Sequence, residues 1–361
     1  MRRIKMNKES VVLRFIVTMV IAAVGGFVFN VLHIPMPWLL GPLTGVVLGT
    51  KFLPIELYWP VALRDISMII IGYTIGLSFT RTALTQIYEQ LPSIVLMTIL
   101  LLLLCALIAL LISKMSGIDY PTILTGSIPG GLSQMVTLAE EMKTIDLSVV
   151  MYLQISRVMM IIFLVPFFVF HPLLGADQAG SHTEFIPSDF GHWNELFPNI
   201  LLFAGVSVLC AFWGQKINMP TAFLVGPILG TAILNNVGVI GPMLPASVLD
   251  LSQFMIAGYI GMMMKSGSSQ GKGKMLFFSI FSGSLLLIGS FGLTYILMLM
   301  HGYSFQTSYL SLAPGGMDQM GIMAHEVGAD LALVVGYQLF RLFFIFFIVP
   351  PLLQMIFKRL F

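Results

Sequence analysis

An all-α polytopic membrane protein made of two tandem repeats is the fold class this sequence predicts. Three observations predict it: the chain is too apolar to cover itself with polar surface, apolar stretches of bilayer-spanning length recur along it, and a set of Pro, Gly, Gln and Arg residues returns in order about 185 positions later.

Of 361 residues, 57% are hydrophobic and 9% charged, with a mean hydropathy of +0.96. A soluble globule of this size needs more polar surface, so lipid is the expected partner. Apolar stretches near the ~20 residues that cross a bilayer core lie at about 11–32, 60–80, 92–113, 147–170, 199–217, 246–264, 275–300 and 331–357. A membrane barrel would instead show short alternating segments. The first stretch follows Arg2, Arg3, Lys5 and Lys8. Its apolar run is too long for a signal peptide, so it reads as a retained transmembrane helix. Cys105 and Cys210 both fall inside apolar helices and read as buried thiols. The net charge of +2 is spread over loop ends and forms no basic face, which argues against a direct nucleic-acid partner. The oligomeric state is open, a homo-oligomer included.

The repeat organises the rest. IPGGLSQMVTL at 128–138 returns as APGGMDQMGIM at 313–323, placing Pro129 and Pro314 185 residues apart. The same offset relates Pro35 to Pro220, Gly41-Pro42 to Gly226-Pro227, and Asp65 to Asp250. An offset one smaller relates Gln154 to Gln338, Arg157 to Arg341, and Pro166 to Pro350. Leucines align in any two hydrophobic stretches; these residues do not. The expected organisation is a cytoplasmic tail at 1–10, a first membrane repeat at 11–171, an acidic linker at 172–197 and a second membrane repeat at 198–361.

Charge gives the expected orientation. The linker carries Asp177, Glu184, Asp189 and Glu195 without Lys or Arg, whereas the N-terminus, the 265–274 loop (Lys265, Lys272, Lys274) and the C-terminus (Lys358, Arg359) are basic. By the positive-inside rule the linker is outside and both termini are cytoplasmic. Each repeat then crosses an odd number of times, so one of its six apolar segments does not span. Pro129-Gly130-Gly131 divides 121–142 into arms of about 12 and 17 Å at 1.5 Å per residue, each too short for a ~30 Å core. A re-entrant hairpin fits this segment. The rival non-spanner, 36–52, would place Lys265, Lys272 and Lys274 outside. Five crossings and one hairpin per repeat invert the second repeat relative to the first, an arrangement common in secondary transporters. Six crossings and parallel repeats are the alternative.

Non-helical backbone at membrane depth needs protein or a water-filled cavity around it. The two Pro-Gly-Gly breaks therefore predict a polar site in which restarting helices offer N–H groups to an anion. The expected substrate-binding set is Pro129, Gly130, Gly131, Gln134, Gln154 and Arg157 with Pro314, Gly315, Gly316, Gln319, Gln338 and Arg341. An intramembrane Arg marks a functional site by default, and each Gln lies three residues before its Arg on the same helical face. In the competing reading the breaks are packing kinks, and each Arg holds the repeats together by pairing with a carboxylate or hairpin carbonyls. Asp318 stands where the first repeat has Ser133, which makes it a candidate Na⁺ or proton site or a partner for one of the arginines. Asp65 and Asp250 read as caps or first-turn dipole partners. Glu140, Glu141, His325 and Glu326 read as solvated hairpin ends. His33, His171, His182, His192, His301 and His325 are scattered, and no metal, nucleophile or phosphate-loop motif accompanies them, so neither an enzyme nor a cofactor is expected.

The doubled Pro-Gly-Gly-x-x-Gln-Met, the doubled Gly-Pro and the Gln-x-x-Arg pairs resemble the membrane AbrB family, the bacterial AbrB-duplication family that also carries an ammonia monooxygenase label. The resemblance spans nearly the whole chain. Its labels imply regulation of gene expression or a membrane oxidase, and neither supplies catalytic residues to transfer. A secondary transporter of a small anionic solute, an organic acid, is the leading expectation. A membrane regulatory protein is the alternative, ahead of a monooxygenase.

Overall fold

The computed structural model describes residues 8–53, 56–130, 145–170, 199–263 and 272–360, and within them it is all-helical, with fifteen helices and no strand. The first half contains α1 (Lys8–Val31), α2 (Pro37–Phe52), α3 (Val61–Ser78), α4 (Arg81–Glu89), α5 (Leu91–Ser116), α6 (Tyr120–Ser127) and α7 (Leu147–Val169). The second contains α8 (Asn199–Lys216), α9 (Ala222–Val237), α10 (Ala246–Met263), α11 (Lys272–His301), α12 (Phe305–Leu312), α13 (Met317–Glu326), α14 (Leu331–Phe347) and α15 (Val349–Leu360). Seven are long and apolar enough to cross a membrane: α1, α3, α5, α7, α8, α10 and α11. The protein is thus an integral membrane protein by the length and composition of its helices.

Local sequence explains the boundaries. In α5, Pro92 sits in the first turn, where its missing N–H costs nothing, and the apolar run that follows contains no Gly or Pro. The helix stops at Gly117, whose φ of 75° suits glycine and whose N–H donates to Ser113 O at 3.0 Å. Two features depart from the sequence expectation. The apolar run at 331–357 is not one helix but two, α14 and α15, divided at Ile348. Pro350 and Pro351 together remove two successive helical N–H donors, whereas the single Pro166 is accommodated inside α7. The short α4 is also unanticipated; Thr80 caps it by accepting from Ala83 N.

The chain forms two compact units, and each draws on both repeats: one holds α1–α3 and α8–α10, the other α4–α7 and α11–α15. In the first unit α1 packs on α2 with Gly25 against Gly41, and α8 packs on α9 with Gly226 against the Cys210 backbone. A Cβ at either position would enter a neighbouring backbone, so the Gly-Pro pairs serve close helix crossing. Contacts between repeats are reciprocal. Gly76 of α3 meets Ile228 and Thr231 of α9, while Gly261 of α10 meets Leu43 and Val46 of α2, the same pairs displaced by the repeat offset. Reciprocal contact of this kind is the property of a two-fold relation. The second unit has a core of Ile94, Met97, Leu101 and Cys105 from α5, with Leu153 of α7, Leu286 and Leu297 of α11 and Tyr337 of α14.

Candidate functional site

Both helix breaks lie in the second unit. In the second repeat α12 ends at Leu312, the chain passes through Ala313, Pro314, Gly315 and Gly316, and α13 begins at Met317. Proline cannot donate and two glycines resist helix, so the carbonyls at the end of α12 lose their helical partners. Arg341 replaces those partners. Its Nη1 donates to Ala313 O at 2.9 Å and Leu312 O at 3.4 Å, and Nη2 donates to Gly315 O at 3.0 Å and to the Gln338 side-chain oxygen. Gln338 Nε2 donates in turn to Leu310 O at 2.7 Å and to Ser311 O and Ala313 O at 3.3 Å.

The first repeat is built alike. Arg157 Nη1 donates to Ile128 O at 3.0 Å, Ser127 O at 3.1 Å and Gly126 O at 3.4 Å, and its Nη2 donates to Gln154 Oε1 at 2.5 Å. Gln154 Nε2 donates to Ile128 O at 3.0 Å and Thr125 O at 3.2 Å. Each Gln-Arg pair therefore plugs the negative end of a short helix, where a cation is favoured. Each guanidinium is seated on carbonyls of its own repeat, and among the described residues neither has a carboxylate partner. Arg157 and Arg341 are only 6% and 5% exposed. Arg341 feels the positive charge of Arg157, and the buried Cys105 thiol lies within the field of both.

A second hydrogen bond ties the start of each short helix to the residue that precedes the following long helix. Asp330 N–H, beyond the end of α13, donates to Thr307 Oγ1 in the first turn of α12 at 3.1 Å; Asp146 N–H donates to Thr122 Oγ1 at the same distance. The chain that leaves through each short helix has returned to that helix's start before α14 or α7 begins. Asp330 and Asp146 then cap those helices, accepting from Leu333 N and from Ser148 N and Val149 N. These four residues were not singled out from the sequence, although Thr122 and Thr307 obey the 185-residue offset and Asp146 and Asp330 the 184-residue one.

Of the expected site residues, Pro129 and Gly130 follow α6 at the first break, and Gly131 and Gln134 lie outside the described residues. Pro314, Gly315 and Gly316 form the second break. Gln319 is buried in the first turn of α13 and accepts from Gly316 N at 3.4 Å; Asp318 is beside it, near the positive end of the helix. Asp65 is not a cap: it accepts from Arg64 Nη2 at 2.6 Å and Nε at 3.0 Å, and Arg64 also lies over the Tyr259 ring. Glu140 and Glu141 lie outside the described residues, as do the linker and its histidines. Among the described residues no three His, Cys, Asp or Glu side chains gather as a metal site.

Near the start of α12, Ser93 Oγ shares a hydrogen bond with His301 Nε2 at 2.9 Å and accepts from the Tyr337 hydroxyl at 3.2 Å, while Gln90 donates to the Tyr303 hydroxyl. Burial, with Tyr337 and Asp330 nearby, pushes the Tyr303 phenol up to about 12, so it stays neutral at physiological pH. The positions equivalent to Tyr337 and Ser93, Leu153 of the first repeat and Phe278 of the second, are apolar.

Duplicated helices of membrane-spanning length, with a buried Gln-Arg pair seated on a helix break in each copy, define the class: an integral membrane protein with paired broken-helix sites. The chain belongs to the AbrB family, whose sequence profile, described as transition state regulatory protein AbrB, matches residues 38–357. It is similar to YhjN of Bacillus subtilis strain 168, with 26% identity over 97% of this chain and 95% of that protein. It is equally similar, at 26% identity over 91% of this chain and 92% of the relative, to the Escherichia coli K12 protein named "Putative regulator AbrB".

Proposed function

We propose that the protein is a secondary transporter of a small organic acid, with inverted repeats whose Pro-Gly-Gly breaks are the tips of re-entrant hairpins. One observation carries this reading: two buried guanidiniums in one unit, each bound to carbonyls and a glutamine and neither paired with a carboxylate among the described residues. Two such charges in a low-dielectric interior repel one another, and a bound anion offsets that cost. The restart of α13 at Gly316 adds N–H groups and a positive helix end at the same tip.

The clasps at Thr122 and Thr307 support the hairpins, because a segment that returns to its start makes no crossing. With both hairpins excluded, α1, α2, α3, α5 and α7 give five crossings in one repeat, and α8, α9, α10, α11 and α14 give five in the other. An odd count, with the acidic linker outside and the basic loops inside a bacterial cytoplasmic membrane, inverts the repeats. Gln319 lines the tip of the second hairpin in this reading, and Asp318 takes Na⁺ or a proton.

The test is uptake by proteoliposomes of radiolabelled mono-, di- and tricarboxylates under imposed Na⁺ or proton gradients. Gradient-dependent accumulation of one of them supports the reading, and Asp318→Asn then uncouples uptake from the gradient. Failure of every acid under both gradients sinks it. A second reading, regulation of gene expression through a partner, is favoured by the name of the Escherichia coli relative. It predicts that replacing residues 265–271 abolishes a transcriptional response and spares solute uptake.

A further inference from the structure

The two breaks share one design, yet they differ in what is left unsatisfied. At the first, Ser127 Oγ and Arg157 Nε are buried and have no hydrogen-bond partner among the described residues, although Arg157 spends both terminal nitrogens on carbonyls and Gln154. The Ser127 side chain is 5% exposed. The two orphaned donors belong to residues already joined, since Arg157 Nη1 holds Ser127 O at 3.1 Å. At the second break the position equivalent to Ser127 is Leu312, which carries no donor. Other buried hydroxyls without a partner among the described residues lie elsewhere, Ser308 on α12 before its final turn and Ser279 on α11.

A buried donor without a partner is costly, and a site that keeps two of them on residues already hydrogen-bonded to one another is shaped for an acceptor. A lone neutral acceptor would satisfy one of them. A carboxylate presents two oxygens and about four lone-pair sites, and it answers the guanidinium charge as well. We propose that the transported acid places its carboxylate at the first break, one oxygen on Ser127 Oγ–H and the other on Arg157 Nε–H, so that the duplicated site binds asymmetrically. The second break, which bears Asp318 and lacks the hydroxyl, then serves the cation side of the cycle. The assignment rests on the transporter reading above and adds Ser127 to it as a binding residue.

The experiment uses the full-length protein in detergent micelles, followed by the fluorescence of its tryptophans on heating, with acetate, succinate, citrate and inorganic phosphate as probes. For the wild type, a carboxylate raises the unfolding midpoint in a saturable way and phosphate at the same concentration does so less. Ser127→Ala removes an unsatisfied buried hydroxyl, so its unliganded midpoint is equal to or above that of wild type, while its affinity for the carboxylate falls by about tenfold or more, the scale of a hydrogen bond to a charged group. Ser308→Ala is the control: it also deletes a buried, unpartnered hydroxyl and leaves the affinity unchanged. Wild-type affinity in Ser127→Ala, or an unliganded midpoint that drops because the hydroxyl held the fold, overturns the assignment and leaves the transporter reading standing. Tighter binding of phosphate than of every carboxylate overturns the choice of acid. A wild type that responds to none of the four probes removes the anion reading as well as this one.

Discussion

The Gln-Arg pairs show what a single residue can reveal before its surroundings are known. Their spacing, their hydrophobic context and their duplication all single them out, because an arginine at membrane depth must answer for its charge. Their partners were not legible, since backbone carbonyls carry no signature in sequence and a carboxylate would have suited the pattern equally well. With the geometry in hand, Arg341→Ala removes the guanidinium donor of Gly315 O and leaves Ala313 O with only the longer bond from Gln338, in a buried setting, and costs about 3–5 kcal/mol. Arg341→Lys recovers only part of this, because an ammonium lacks the planar fork that spans two carbonyls and Gln338. Thermal unfolding in detergent should rank the wild type above Arg341→Lys and Arg341→Ala lowest. A Lys variant as stable as wild type would show that charge alone suffices. Thr307→Val tests the clasp in the same assay: it leaves the Asp330 N–H without its acceptor at a cost of about 1–3 kcal/mol.

Helices and their interruptions were legible where a residue type dictates backbone behaviour. Pro-Gly-Gly announced both breaks, and apolar length announced the spanning helices. The division at Ile348 was missed because hydrophobicity runs unbroken through Pro350 and Pro351, and pattern reading weighed apolar length above lost donors. Helix α4 was missed for the opposite reason, being short and too polar to register as a span. The Gly-Pro pairs were visible as repeat markers, but their service in packing needed coordinates. Gly226 lies against the Cys210 backbone, which cannot yield as a flexible side chain would. Gly226→Leu should therefore force α8 and α9 apart and destabilise the protein by roughly 1–3 kcal/mol or more, with Gly41→Leu acting alike on α1 and α2. Equal midpoints for these variants and the wild type would refute the close crossing.

For the whole molecule, duplication was the strongest signal in the sequence, and the way the copies combine was not in it. A linear reading yields two consecutive modules; the contacts yield two units that each gather part of both repeats. Nothing in local pattern encodes which helix of one copy meets which helix of the other. The orientation of the copies is open to direct measurement. Single cysteines placed in the 177–195 linker, the 265–271 loop and both termini, in a version lacking Cys105 and Cys210, are labelled from outside intact cells. Labelling confined to the linker agrees with inverted repeats, and a linker that shares the protected side with the termini would falsify them.

The reciprocal seams of Gly76 on α9 and Gly261 on α2 bear on how the molecule is made. A ribosome delivers α1–α3 long before α8–α10, so the early helices wait in the bilayer with their glycine faces unmatched until the second copy emerges. Neither half should mature alone. The two halves synthesised as separate polypeptides, cut within the linker, should find one another, whereas each by itself should be cleared by proteolysis. Such complementation would make the present chain the covalent descendant of a dimer.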